Sequence, residues 1–236
     1  MDIVYSIAES RISLMQCLIF IPLAMILLLS NYMTKTVSVS LLLLSIFTAL
    51  WFANLSLSAF VSIAVFITLA YYRQSHHQAI SSYLKVALDL ALFIFACAYM
   101  LHLVDGFDNQ KIIDDLIISD GAPPYSQYLN LDKALLAVIF LLWLLPKQSA
   151  LTWQNTRSML LSASAVTCAV IVLALISGLV AFEPKLSLLI IPWAVVNLLF
   201  TCFAEELLFR GLIQVRLNHI LQHCCVHPLI KSNYYN

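Results

Sequence analysis

The chain has 236 residues, of which 62% are hydrophobic and 10% charged, with a mean hydropathy of +0.95. This is not the composition of an ordinary soluble domain, and it makes the bilayer the solvent for most of the chain. Twelve basic residues balance twelve acidic ones, which gives no basic surface for nucleic acid, and four glycines leave no room for a Gly-rich phosphate loop.

The first apolar run, about Ile12 to Ser30, is too long for a signal-peptide core and lacks a small-residue cleavage site, so a retained span is expected. Val37 to Tyr72 is about twice a minimal span, which predicts two helices divided near Asn54. Arg73 to Lys85 is a polar connection, and its adjacent His76 and His77 point different ways on a helix, which favours a wetted loop over a metal site. The fourth span covers Tyr83 to Val104. Its Asp89 lies one turn after Lys85, a local ion pair, and His102 at its other end is expected at the interface.

Asp105 to Asp132 is the longest polar segment, with six aspartates and Lys111. Ile112, Ile113, Leu116 and Ile117 have helical spacing and predict a short helix on the membrane surface, stopped by Pro123-Pro124. Spans five and six are Leu131 to Leu145 and Ser158 to Phe182; Pro184 interrupts the chain, and Pro192 opens the seventh at its first turn. The fold class expected is therefore all-α, a polytopic transmembrane bundle of about seven spans. Cys17, Cys97, Cys168 and Cys202 fall inside apolar runs as small hydrophobes, and with Cys224 and Cys225 they suggest no disulfide framework.

Alternating seven spans places Lys35, Arg73, Lys85, Lys147, Arg157, Arg216 and Lys231 on one side. Arg11, Lys111, Lys133 and Lys185 fall on the other, with nine of the twelve acids. The first side is then cytoplasmic, with the N-terminus and the 105–132 loop outside.

The seventh span carries Glu205, Glu206 and Arg210 in Leu198-Leu-Phe-Thr-Cys-Phe-Ala-Glu205-Glu206-Leu-Leu-Phe-Arg210-Gly211. A charge near the bilayer centre costs roughly 2.5–3.5 kcal/mol on insertion scales, so it has a partner or a job. Glu206 and Arg210 are one turn apart and can pair; Glu205 points about 100° away, with no local cation. If the pair is buried, Glu206→Ala strands a guanidinium and costs about 3–5 kcal/mol. One reading is a helix end whose charges reach the headgroups. The other makes Glu205 a general base in a low-dielectric cavity, its helix fixed by the Glu206–Arg210 pair.

At these residues the chain resembles the CPBP intramembrane endopeptidases, the family of the type II CAAX prenyl proteases and bacteriocin-processing (Abi) proteins. Their first motif, Glu-Glu-x-x-x-Arg, is matched by Glu205, Glu206 and Arg210, with the frequent following glycine at Gly211. His102-Leu-Val-Asp-Gly-Phe107-Asp-Asn109 and Tyr128-Leu-Asn-Leu-Asp-Lys133-Ala resemble a bacterial branch of the same family. The resemblance runs from about residue 100 to 217 and implies three parts: N-terminal transmembrane helices at 1–100, the start of a protease core at 101–217 with its extracytoplasmic loop at 105–132, and an atypical tail at 218–236.

The resemblance also implies a multi-pass protein of a bacterial cytoplasmic membrane that cleaves prenylated-protein or leader-type peptide substrates. The glutamate would activate water together with a histidine, directly or through a divalent metal such as zinc. A second histidine with its Asn or Asp would support the oxyanion. Those histidines belong to two later motifs, Phe-x-x-x-His and His-x-x-x-Asn/Asp, and neither occurs here: no Phe follows Phe209, and no His has Asn or Asp four residues on. His219, His223 and His227 share a helical face, but three ligands stepping along one helix cannot converge on one ion. The expectation is a C-terminally truncated relative, inactive as it stands. A non-catalytic binding or immunity protein on the same scaffold is the alternative, and a transporter is disfavoured by the lack of paired interrupted segments.

Overall fold

The computed structural model describes residues 14–76, 78–118, 121, 123–144, 153–182 and 189–214. The tail histidines, His77 and most of the loop around Pro184 lie outside these residues. The chain divides into two compact units, Met1–Leu145 with Pro192–Asn236, and Pro146–Ile191.

In the first unit, helix α1 (Leu14–Leu29) packs against α2 (Lys35–Trp51), and α3 (Leu57–Ser75) against α4 (Ser82–Met100). Short hydroxyl side chains start three of these helices: Thr34, Ser56 and Ser81 accept the backbone N–H of Val37, Ala59 and Leu84, each satisfying a donor that the first turn leaves open. The apolar block 37–72 is broken between Trp51 and Leu57, at the Asn54 turn expected from its length. Helix α5 (Leu131–Ile139) continues as a π-helical segment, Phe140–Leu144. Ala134 through Phe140 are completely buried. A helix that is apolar all round belongs in the middle of a bundle, and α5 touches α1, α4 and the glutamate-bearing helix. Phe66 of α3 anchors the centre, with ring centroids 5.7 Å from Phe95, 5.6 Å from Tyr99 and 6.1 Å from Phe140.

Near the opposite end of the α3–α4 pair, Arg73 Nε donates to Asp89 at 2.9 Å with both side chains 11% exposed. The Lys85 pairing expected from helical spacing thus overlooked a partner from the neighbouring helix. His76 ends α3 and stacks on Tyr72 at 4.6 Å.

One expectation is corrected and a second is met only in its coarser form. The 105–132 segment holds no surface helix among its described residues but an antiparallel hairpin, β1 (Gln110–Leu116) with β2 (Tyr125–Leu129), so the chain is mostly helical rather than all-α. Paired β-branched residues at 112–113 and tyrosines at 125 and 128 suit a pleated, half-buried surface. Between the strands Gly121 has φ +77°, a backbone conformation that glycine adopts without steric cost. The span count also becomes coarser. Among the described residues, four helical stretches are long and apolar enough to cross a membrane: Leu57–Ser75, Ser82–Met100, Arg157–Ile176 and Ile190–Gly211. Leu14–Leu29 and Lys35–Trp51 are shorter apolar helices. In the second unit, α6 (Trp153–Ile176) has exposed Met159, Leu160, Leu161, Val166, Val170 and Leu173.

Candidate active site

The glutamate-bearing helix is not uniformly α-helical. It runs as α7 (Ile190–Val196), a π-helical segment Asn197–Cys202, a single α turn α8 (Phe203–Glu206), and a second π-helical segment Leu207–Gln214. The wider winding shows in the N–H of Phe203, which bonds the carbonyl of Leu198 five residues back; insertions of this kind concentrate at functional sites.

That winding sets two opposed stripes at four-residue spacing. Val196, Phe200, Ala204 and Leu208 are buried, and Phe200 meets Phe20 of α1 edge-on at 5.3 Å. Leu198, Cys202, Glu206 and Arg210 are exposed. Glu205, next to the inward Ala204, is half-buried on the flank. Glu206 accepts from Arg210 Nε one turn on, with side chains 54% and 65% exposed. Glu205 has no hydrogen bond or ion pair among the described residues. The two carboxylates therefore differ in surroundings: one is neutralised and outward, the other stands at the edge of the core with no partner among the described residues.

The exposure of the pair corrects the expected cost of losing it. A guanidinium on the outer face can snorkel to the detergent headgroups when its partner goes, so Glu206→Ala should cost less than a buried pair would, about 1 kcal/mol of folded stability in detergent. Equilibrium unfolding of the solubilised variant beside the parent measures this.

Sequence reasoning missed a second polar cluster. His102 ends α4 with a left-handed backbone, φ +56°, and its Nδ1 lies 2.5 Å from Asp132 Oδ2 in the first turn of α5. The Asp132 side chain is 2% exposed and the His102 ring 43%. Asn109 Nδ2 donates to the same carboxylate oxygen at 3.2 Å, while its Oδ1 accepts the Leu131 N–H at 2.8 Å. Asn109 thus caps α5 from a distance, where the adjacent Asn130 makes no side-chain cap. The Lys133 N–H donates to Asp132 Oδ1 at 2.8 Å, so helix and histidine share the buried carboxylate. A histidine held through Nδ1 by a carboxylate has the base-and-orienter geometry of a hydrolytic triad. Here it also ties both ends of the hairpin segment to the bundle. The one signal in sequence was that His102, Asn109 and Asp132 lie in the two loop words quoted above; their meeting was not legible from spacing.

At the hairpin surface, a 2.5 Å hydrogen bond from Lys111 to Asp114 raises the lysine pKa above its ordinary value, and burial raises that of Tyr125. Both shifts hold these groups protonated further into the alkaline range, and neither brings a titration toward neutrality.

The described residues do not fit the metal that the resemblance implies. Among them no three His, Cys, Asp or Glu side chains are grouped to hold an ion. No protein-family model, no curated protein and no solved structure matches the chain.

Proposed function

We propose that the chain is the scaffold of an intramembrane endopeptidase, in which Glu205 is the general base and the Glu206–Arg210 pair positions its helix. Residues 1–236 by themselves hold one half of the hydrolytic site. The supporting observation is the outward stripe Leu198–Cys202–Glu206–Arg210. An ion pair on a membrane-length apolar helix is costly against lipid. That cost is relieved when another helix covers the pair and closes a low-dielectric cavity against Glu205. Such a cavity would disfavour the ionised carboxylate and make it a better proton acceptor near neutral pH. Histidines brought by the covering helices would supply the oxyanion support that the described residues lack.

In this reading the protein lies in a bacterial cytoplasmic membrane with the hairpin and N-terminus outside. Its substrate is a prenylated or leader-type peptide. Orientation is checked by introducing a cysteine at exposed Tyr128 and labelling with an impermeant thiol reagent in a background lacking the native cysteines. Labelling from outside is expected, and labelling only from the cytoplasm would reverse the assignment.

The functional reading is tested by purifying residues 1–236 and assaying prenylated and leader-type peptides, alone and with helices bearing Phe-x-x-x-His and His-x-x-x-Asn supplied in trans. No turnover is expected alone. Turnover is expected on complementation and should be lost in Glu205→Gln. Cleavage by the unsupplemented chain that vanishes with Glu205→Gln would contradict the half-site. A complemented activity indifferent to Glu205 would favour the non-catalytic binding scaffold.

A further inference from the structure

The end of the bundle away from the hairpin is its basic end. No Asp or Glu stands between Glu9 and Asp89, and this stretch brings Lys35, Arg73 and Lys85 to the ends of three helices. Hydrogen bonds link those ends. Lys35 Nζ, at the start of α2, donates to Gln74 Oε1 of α3 at 2.9 Å. The neighbouring Arg73 is held by Asp89 of α4, which lies one turn beyond Lys85. At the other end, Asp105, Asp108, Asp114 and Asp115 belong to the hairpin segment, and Lys111 there is paired with Asp114.

The Lys35 ammonium is fixed without being neutralised. It lies 5.7 Å from the ring centre of Trp143, a buried residue of the π-helical segment after α5, and its partner Gln74 is a neutral amide. A ring face attracts a cation but leaves its charge in place. No carboxylate reaches Lys35 or Lys85 among the described residues. An ammonium carries more donors than Gln74 uses, so the rest are open to a ligand. An exposed tyrosine precedes each cation closely: Tyr32 before Lys35, Tyr72 before Arg73 and Tyr83 before Lys85. Tyrosines gather at the headgroup level of a bilayer, where the ring meets the apolar edge and the hydroxyl meets water. From Tyr83 an exposed stripe at helical spacing, Val86, Leu90 and Ile94, runs along α4 away from this end.

We infer that this end of the bundle binds the headgroup of an anionic phospholipid, with Lys35 as the fixed anchor and Lys85 as the second cation. Arg73, neutralised by Asp89, holds α3 to α4 beneath them. A phospholipid fits better than an acidic protein because cations, tyrosines and apolar stripe follow one another in the order of headgroup, interface and acyl chain. Both α3 and α4 are long and apolar enough to cross a membrane, so the bilayer itself delivers a phosphate at this level. Each lysine or arginine near an anionic bilayer surface strengthens attachment about fivefold, and the orienting contacts of Lys35 are already made before the lipid arrives. The inference needs a bilayer around the bundle, and neither the direction of insertion nor the endopeptidase reading.

Native mass spectrometry of the full chain, released from detergent micelles after titration with dioleoylphosphatidylglycerol or dioleoylphosphatidylcholine, tests the site. Phosphatidylglycerol should bind about tenfold tighter or more. Lys35→Gln and Lys85→Gln should each weaken phosphatidylglycerol about fivefold and leave phosphatidylcholine unchanged. Lys111→Gln, at the acidic end, should change neither. Equal affinity for the two lipids, or a preference that survives in the double lysine variant, would overturn the inference. Inorganic phosphate and a polyglutamate peptide are the competing ligands. Phosphate that displaces the lipid at millimolar concentration would make this a free-anion site, and polyglutamate bound more tightly than phosphatidylglycerol would make it a protein contact; either result would overturn the lipid assignment. If Lys35→Gln gives no folded protein, Lys85→Gln decides, because its side chain makes no hydrogen bond or ion pair among the described residues.

Discussion

Gly106→Ala should cost about 3 kcal/mol or more and sharply reduce the yield of folded protein in detergent. Gly106 sits at φ +98°, and a Cβ there would lie 1.8 Å from Ser56 Oγ and 2.9 Å from Ser56 Cβ. A non-glycine residue in a sparsely populated backbone region costs about 1–3 kcal/mol before any clash. The obstructing hydroxyl cannot simply swing away, because Ser56 Oγ caps α3 by accepting the Ala59 N–H at 3.2 Å, and losing such a cap adds about 1 kcal/mol. The Gly106 carbonyl also accepts the Ser56 N–H, so backbone retreat breaks a further bond. Equilibrium unfolding of Gly106→Ala beside Gly106→Ala/Ser56→Gly separates the two causes. The double variant should recover the clash component and keep the backbone strain. A single variant as stable as the parent would show that the 102–109 loop does not rest on the α2–α3 turn.

Asp132→Ala should be comparably damaging, at about 3–5 kcal/mol, the range for removing one partner from a buried charged network. Donors from His102, Asn109 and Lys133 converge on this carboxylate, and alanine leaves them facing a void. Asp132→Asn should lose less. It keeps one acceptor oxygen for the Lys133 N–H but turns an NH2 toward His102 Nδ1, which must then carry its proton on Nε2 to accept. His102→Asn should be milder still, because asparagine tolerates the left-handed backbone at that position. Thermal unfolding in one detergent ranks the three variants. An Asp132→Ala protein as stable as His102→Asn would mean that the carboxylate is not the hub of the cluster.

Local rules read the local features of this chain well. Helix positions followed from the length of apolar runs, and the break near Asn54 from a run too long for one span. The pairing of Glu206 with Arg210 followed from one-turn spacing. Features that depend on neighbours were not legible. Lys85 was the partner for Asp89 that spacing could see, whereas Arg73 comes from the adjacent helix. Ile112, Ile113, Leu116 and Ile117 fit a helical period, yet Ile113 pairs with Gln127 across the hairpin.

The outward direction of Glu206 was equally hidden. Val196–Phe200 and Leu198–Cys202 are both apolar on paper, and only the packing of α1 and α5 selects the first stripe as the inner one. His102 and Asp132 are thirty positions apart, and the hairpin that joins them carries apolar residues at helical spacing.

The claim on which the functional account turns is that the outward stripe of the glutamate-bearing helix is covered by polypeptide when the protein works. Cys202 stands on that stripe one turn before Glu206. A photoreactive benzoylphenylalanine placed at residue 202 and irradiated in native membranes reads its neighbour directly, with the same group at exposed Leu173 of α6 as the lipid-facing control. The account predicts adducts to a polypeptide segment at 202, from the same chain or another, and lipid adducts at 173. Lipid adducts alone at both positions would place the Glu206–Arg210 pair against the bilayer, and would contradict a shared hydrolytic site on that face.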